Sequence, residues 1–147
     1  MFPGDDAIKA VACAFHDPFE YLHKLHKAQS LKTDFKNSLG DVSYHVACHQ
    51  RVQNIGPRTR QILELVEGTT VKAIERCSGH DGTYGVKKET LKFANKIARP
   101  IVRQIEQQEP DYFGSDCPVA GRHIENNLDA DKEAIHPIDL LRIAYGL

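Results

Sequence analysis

Three of the four cysteines occupy one kind of place, directly after a short run of strand-forming residues. The runs are Tyr44-His45-Val46-Ala47-Cys48, Val71-Lys72-Ala73-Ile74-Glu75-Arg76-Cys77 and Tyr112-Phe113-Gly114-Ser115-Asp116-Cys117. Helical patterns lie between them, so the order strand, helix, strand, helix, strand predicts a parallel sheet. In such a sheet the loops that follow the strands all open on the carboxyl edge, where ligands gather. Thiols far apart in sequence meet there, and three sulfur donors on one edge predict a metal or iron–sulfur site formed by Cys48, Cys77 and Cys117. Pro118 is suited to open a helix after Cys117, and backbone N–H groups at a helix start favour a thiolate. Cys13, inside the helical run Ala10-Val11-Ala12-Cys13-Ala14, has no glycine or histidine beside it and is assigned to the core.

Length and composition narrow the chemistry. At 147 residues and 41% hydrophobic, the chain has room for one domain with a core, taken as residues 1–147. Lys plus Arg number 19 and Asp plus Glu 20, a net charge of −1, so there is no basic excess for phosphates and no nucleic-acid partner is expected. The apolar runs are too short to cross a bilayer, and the N-terminus has no basic-then-apolar signal pattern. A cytoplasmic location is expected. In that compartment separated cysteines serve metal ligation or catalysis more often than disulfides.

The elements that must position the thiols can be traced along the chain. Ala7, Ile8, Val11, Ala12 and Phe15 recur at helical spacing. Asp17-Pro18-Phe19-Glu20 then reads as a new helix start, carrying Phe19, Leu22, Leu25 and His26 on one face. The first strand is Val42 to Ala47, and a loop follows Cys48 as far as Gly56-Pro57. A helix from Arg58 to Val66 faces Ile62, Leu63 and Val66 inward and stops at Gly68. The second strand is Thr69 to Glu75. After it comes the glycine-rich stretch Cys77-Ser78-Gly79-His80-Asp81-Gly82-Thr83-Tyr84-Gly85, then a long helix with Leu91, Ala94, Ile97, Ile101 and Ile105 inward and a kink at Pro100. Strand three begins at Asp111, a helix runs from Pro118 through Ile124 and Leu128, and Pro137 to Tyr145 is a last helix burying Ile138, Leu141 and Ala144. The fold expected is α/β: a small parallel sheet flanked by helices, with the site at the carboxyl ends of the strands.

Among the eight histidines, His80 is the first choice as a further ligand, because it follows Cys77 by three residues on a loop flexible enough to fold back. His49 ranks second, since adjacent residues seldom both reach one small ion. Around these donors, His49, Arg51, Gly79 and His123 are expected to support the site: Arg51 by offsetting charge, Gly79 by letting the backbone approach a bulky group, the histidines by hydrogen bonding or proton relay. His45 alternates away from the thiol and touches the site only indirectly. His23, His26 and His136 read as surface or pre-helix residues.

Three segments together carry a resemblance. His45-Val46-Ala47-Cys48-His49-Gln50-Arg51, Glu75-Arg76-Cys77-Ser78-Gly79-His80-Asp81-Gly82-Thr83-Tyr84-Gly85 and Ser115-Asp116-Cys117-Pro118-Val119-Ala120 resemble the signature segments of the cysteine-rich CCG domain family. Its members include the B subunit of heterodisulfide reductase, lactate-utilisation proteins and, most like this chain, the C subunit of anaerobic glycerol-3-phosphate dehydrogenase. The resemblance covers nearly the whole chain and is to the C-terminal copy of the domain, which implies either a stand-alone version or part of a longer oxidoreductase subunit. It implies electron transfer through an iron–sulfur cluster, in partnership with a flavin- or substrate-oxidising subunit, with peripheral membrane association only through such partners. Domains of this type work in pairs, so a homodimer is expected, through the faces around Phe15, Phe19 and Leu22. Two positions depart from the pattern. Ser78 stands where the motif has its second cysteine and Ala120 where it has its last, so a five-thiolate noncubane cluster cannot form unaltered.

Three cysteines plus His80 suit a four-iron cluster, which the resemblance favours, or a single zinc, which ligand arithmetic favours equally. The sequence therefore predicts an electron-transfer module. Its alternatives are a non-redox zinc module that ties loops together for a partner, and a thiol enzyme with Cys77 as nucleophile beside His80.

Overall fold

A computed structural model describes residues 4–129 and 132–147. The described chain forms α1 (Asp6–Ala14), α2 (Pro18–Lys27), β1 (Asp41–His45), α3 (Cys48–Val52), α4 (Arg58–Leu63), β2 (Thr70–Ile74), α5 (Lys88–Gln108), β3 (Tyr112–Ser115), α6 (Pro118–Glu125), β4 (Ala134–Ile135) and α7 (Pro137–Tyr145). The strands make one parallel sheet in the order β2-β1-β3-β4. From β1 the chain crosses to one side for β2 and returns to the other for β3, so the topological switch point lies beside β1. Cys48, Cys77 and Cys117 follow β1, β2 and β3, which are neighbours in the sheet.

Each face of the sheet has its own core. Val42 and Tyr44 of β1 join Phe19, Leu39, Ile62, Leu63, Val66, Val71, Leu140, Leu141 and Ala144 on one face. The other is filled by Ile74 and Phe113 against Ala98, Ile101, Val102 and Ile105 of α5 and Ile124 of α6. The strand period of two sends Ser43 and His45 to this second face, where both are buried. Ser43 is satisfied there by the side chain of Gln108. Full burial of one side chain of the size of Phe113 contributes roughly 1.5–3 kcal/mol, so these two layers supply the rigidity on which the edge loops rest. In β3, Gly114 has no room for a side chain: a Cβ would lie 2.2 Å from the Ile135 carbonyl oxygen, so glycine lets β4 dock.

Local signals explain several boundaries. The Asp17 carboxylate accepts from Phe19 N and Glu20 N, with Pro18 in the first turn of α2. The His136 Nδ1 accepts from Ile138 N and caps α7, a more specific role than the polar pre-helix position expected of it. α5 continues through Pro100.

Other expectations are corrected. No residue of α1 is buried: Ile8, Val11 and Phe15 are exposed, and so is Cys13, which is not a core residue. The apolar spacing of α1 is real, but the described chain buries no residue of this helix. On α5, Leu91 and Ile97 are exposed while Ala98 and Val102 take their inward places, and on α7 Ile138 yields to Leu140. The stretch after Cys48 begins with the short helix α3 instead of a plain loop, α4 stops at Leu63, and the two-residue β4 was not foreseen. Phe19 is in the core and so cannot belong to an association face, which leaves Phe15 exposed in that region.

Candidate metal centre

Each thiol is held at the sheet edge in a different way. Cys48 is the first residue of α3, exposed, with Nη2 of Arg51 3.6 Å from its sulfur. Cys77 is exposed on the loop after β2. Cys117 is half-buried in the N-cap position of α6, and its N–H donates to the Ser115 hydroxyl at 3.2 Å. All three are free thiols.

His80 turns toward Cys117 rather than toward its nearer sequence neighbour Cys77. Its Nε2 lies 4.0 Å from the Cys117 sulfur, while Nδ1 is 2.6 Å from the Ser78 hydroxyl. A proton on Nδ1 shared with Ser78 leaves the Nε2 lone pair available, the arrangement that orients a histidine ligand. Burial pushes the His80 imidazole below its ordinary value, and the nearby His123 pushes it further the same way, so the ring is neutral near pH 7 and able to bind a cation. At the two non-thiol positions, Ser78 is buried and bonded to His80, and Ala120 is buried.

The donor set, three thiols and one neutral imidazole on one sheet edge, fits a thiolate-held centre in kind. Two of the donors are already adjacent. Among the described residues, however, no three His, Cys, Asp or Glu side chains stand together closely enough to hold one ion. The structure thus brings together Cys117 with His80 and Cys48 with Arg51, and sets Cys77 on the same edge without closing a cage. His49 is exposed beside Cys48, Gly79 supports the loop from beneath, and His123 is buried in α6 with Nε2 lacking a hydrogen-bond partner among the described residues.

Two buried polar networks fix the edge, one through His45, whose expected indirect contact with the site is seen here, and one through Tyr44 and Asp116, which the sequence did not single out. His45 is within 2.9 Å of the Ser115 hydroxyl through Nδ1, and its Nε2 donates to the Arg76 carbonyl at 2.9 Å. Since Arg76 precedes Cys77 and Ser115 receives the Cys117 N–H, one imidazole in β1 ties the loops of two thiols to the strand that leads to the third. On the other face, the Tyr44 hydroxyl bonds the Asp116 carboxylate and lies 2.6 Å from Gln50 Oε1, and Thr59 Oγ1 donates to Asp116 at 3.2 Å. Burial raises the Asp116 carboxyl, and the bonds from Tyr44 and Thr59 partly offset this. Burial also raises the Tyr44 hydroxyl, with the Asp116 charge adding to it. The partners are separated by 72 and 57 residues, so no local motif announces them.

His45 has a consequence for stability. Burial lowers its affinity for a proton below the ordinary 6.5, the Arg76 carbonyl opposes this, and His80 and Arg51 reinforce it. With the folded value depressed, the unfolded chain takes up a proton that the folded chain refuses as the pH falls. This contribution to stability is therefore full above the ordinary histidine value and is lost as the pH falls below it toward the folded value. Urea unfolding at about pH 7.5 and about pH 5.5 should show lower stability at the acid end, with a shallower dependence in His45→Gln. An identical slope in the variant would remove His45 as a source.

Comparison with known proteins bears on this edge as a whole. Residues 42–125 match the cysteine-rich domain family, CCG, a span that includes all three edge cysteines and His80. The C subunit of anaerobic glycerol-3-phosphate dehydrogenase from Escherichia coli strain K12 is 34% identical over 106 residues, 71% of this chain and 26% of that relative. Its counterpart from Escherichia coli O157:H7 gives the same values. This chain thus spans about a quarter of the length of these relatives. Its match over β1 to α6, on a parallel sheet with thiols after β1, β2 and β3, makes the chain a member of the cysteine-rich CCG domain family.

Proposed function

We propose that the chain is an electron-transfer module of an iron–sulfur oxidoreductase, with Cys48, Cys77, Cys117 and His80 as the protein donors to a four-iron cluster. The observation that carries this reading is the placement of three free thiols after three neighbouring parallel strands, at the switch point where such sheets bind ligands. When bound, the cluster would supply a reversible one-electron couple. The chain's own residues orient and tune: Ser78 sets the His80 ring, Arg51 places positive charge beside Cys48, and His45 holds two of the loops to β1. The partner would be a flavin- or substrate-oxidising subunit, in the cytoplasm. No helix among the described residues is long and apolar enough to cross a membrane.

A zinc module is the second reading, favoured by one contact. A histidine whose Nδ1 is held by Ser78 and whose Nε2 faces a cysteine sulfur is what a Cys₃His zinc site uses. Anaerobic purification with metal and acid-labile sulfide analysis separates the two. Iron and sulfide in comparable amounts, with visible absorption that bleaches on dithionite, support the cluster. Stoichiometric zinc without sulfide, in chain that resists reconstitution with iron and sulfide, would replace it by the zinc reading, because zinc has no accessible redox couple.

A further inference from the structure

The outer side of α5 carries charge of one sign. Lys88, Lys92, Lys96, Arg99 and Arg103 follow one another at three- and four-residue steps, so at 3.6 residues per turn they fall within about 80° of one another and form a stripe about 22 Å long. All five are exposed, on the side away from the buried Ala98, Ile101 and Ile105. Between Thr90 and Ile105 the helix has no Asp or Glu, and its two acids, Glu89 and Glu106, stand near its ends. Among the described residues, none of the five cations is in an ion pair with a carboxylate. Lys92 lies instead over the Phe93 ring, 4.9 Å from its centre.

This pattern works against the helix that bears it. Lys88 with Lys92, Lys92 with Lys96, and Arg99 with Arg103 are i,i+4 pairs of like charge, which lower helix stability, whereas a helix face that serves only solvent alternates its signs. Phe93 and Ile97 are exposed beyond one flank of the stripe. Its Lys88 end begins after the loop that carries Cys77 and His80, so a body lying along α5 reaches the thiol edge. We infer that this face of α5 docks a partner protein through a complementary stripe of acidic side chains, with Phe93 and Ile97 at the border of the contact. Charge complementarity names the occupant. A membrane surface or a nucleic acid is an extended polyanion that favours a broad basic field, but this chain has a net charge of −1, so the stripe acts only over a Debye length of about 8 Å. A protein face can match so narrow a stripe without setting its own acids against the acidic remainder of the chain. The inference goes beyond the redox reading and holds whichever group the thiols bind.

The test uses the full chain and three labelled probes: a helix-forming peptide with glutamates at i,i+4 and leucines beside them, phosphatidylcholine vesicles with about one-third phosphatidylserine, and a DNA duplex of about 20 base pairs. The peptide should bind most tightly, its lysine counterpart should not bind, and moving from low salt to about 0.5 M should weaken the peptide complex about tenfold. The triple variant Lys92→Gln, Lys96→Gln, Arg99→Gln should lose about tenfold in peptide affinity. Lys24→Gln, Lys27→Gln, Lys32→Gln changes the net charge by the same amount at exposed residues elsewhere and should keep it within about twofold. The α5 variant should also melt no earlier than the parent chain, because it removes like-charge pairs. Tighter binding to vesicles or DNA, equal losses in the two triple variants, no peptide binding, or earlier melting of the α5 variant would overturn the inference. Iron and sulfide uptake, measured on the same preparations, judges the cluster separately.

Discussion

Cys117→Ser, reconstituted anaerobically beside the parent chain, should take up less iron and sulfide and melt at a lower temperature, while its apo form melts no earlier than the parent apo form. The divergence between loaded and apo chains follows from where Cys117 stands. It occupies the N-cap position of α6 and makes no side-chain cap hydrogen bond. Serine is among the preferred N-cap residues, contributing up to about 1 kcal/mol through its oxygen, so the apo chain is neutral to stabilised by the change. The loaded chain loses a soft thiolate donor that also lies against His80. A group held at a hundred times its dissociation constant stabilises the fold by about 2.7 kcal/mol. Losing it lowers the melting temperature of a domain this size by about 5–10 °C. Unchanged iron stoichiometry would remove Cys117 from the centre. An equal fall in both forms would mean that Cys117 serves packing alone.

The contrast between what local sequence fixes and what it cannot is visible at the same edge. The three cysteines could be placed on one edge of a parallel sheet because strand, helix and turn signals are short-range and the loops after parallel strands open on one edge. The N-caps at Asp17 and the start of α7 at Pro137 are likewise local. What joins the loops is not. His45 meets Ser115 and Arg76 across 70 and 31 residues, and Tyr44 meets Asp116 across 72, through residues whose types are common and whose spacing carries no period. Periodicity misled in the opposite direction at α1, where Ile8, Val11 and Phe15 have helical spacing but no described partner to bury them. An apolar stripe states that a surface can be covered, not that this part of the chain covers it. His80 was found for its distance from Cys77, yet it faces Cys117, because Gly79 turns the loop before His80 can reach back.

Gly79 is for that reason the residue whose replacement should matter most to both fold and site. Its φ of +84° lies in the left-handed region, and an added Cβ would sit 2.3 Å from the Ala94 carbonyl oxygen, 3.1 Å from Ala94 C and 3.2 Å from Ile97 Cβ of α5. The first two are backbone atoms inside a helix and cannot step aside by changing a rotamer. In Gly79→Ala the left-handed conformation alone costs about 1–2 kcal/mol, and forcing a methyl group into a packed contact adds roughly 1–3 kcal/mol. A destabilisation of about 3 kcal/mol should lower the melting temperature by about 6–12 °C. The chain can relieve the overlap only by lifting the loop from α5, which carries Cys77 and His80 with it, so iron uptake should fall although every proposed donor remains. Gly82→Ala supplies the comparison: its φ is also positive, at +51°, but nothing lies within 4 Å of the added Cβ. It should show only the conformational cost and retain iron. Matching losses in the two variants would mean that the contact of the loop with α5 does not hold the donors, and that the position of His80 opposite Cys117 depends instead on the hydrogen bonds of Ser78 and His45.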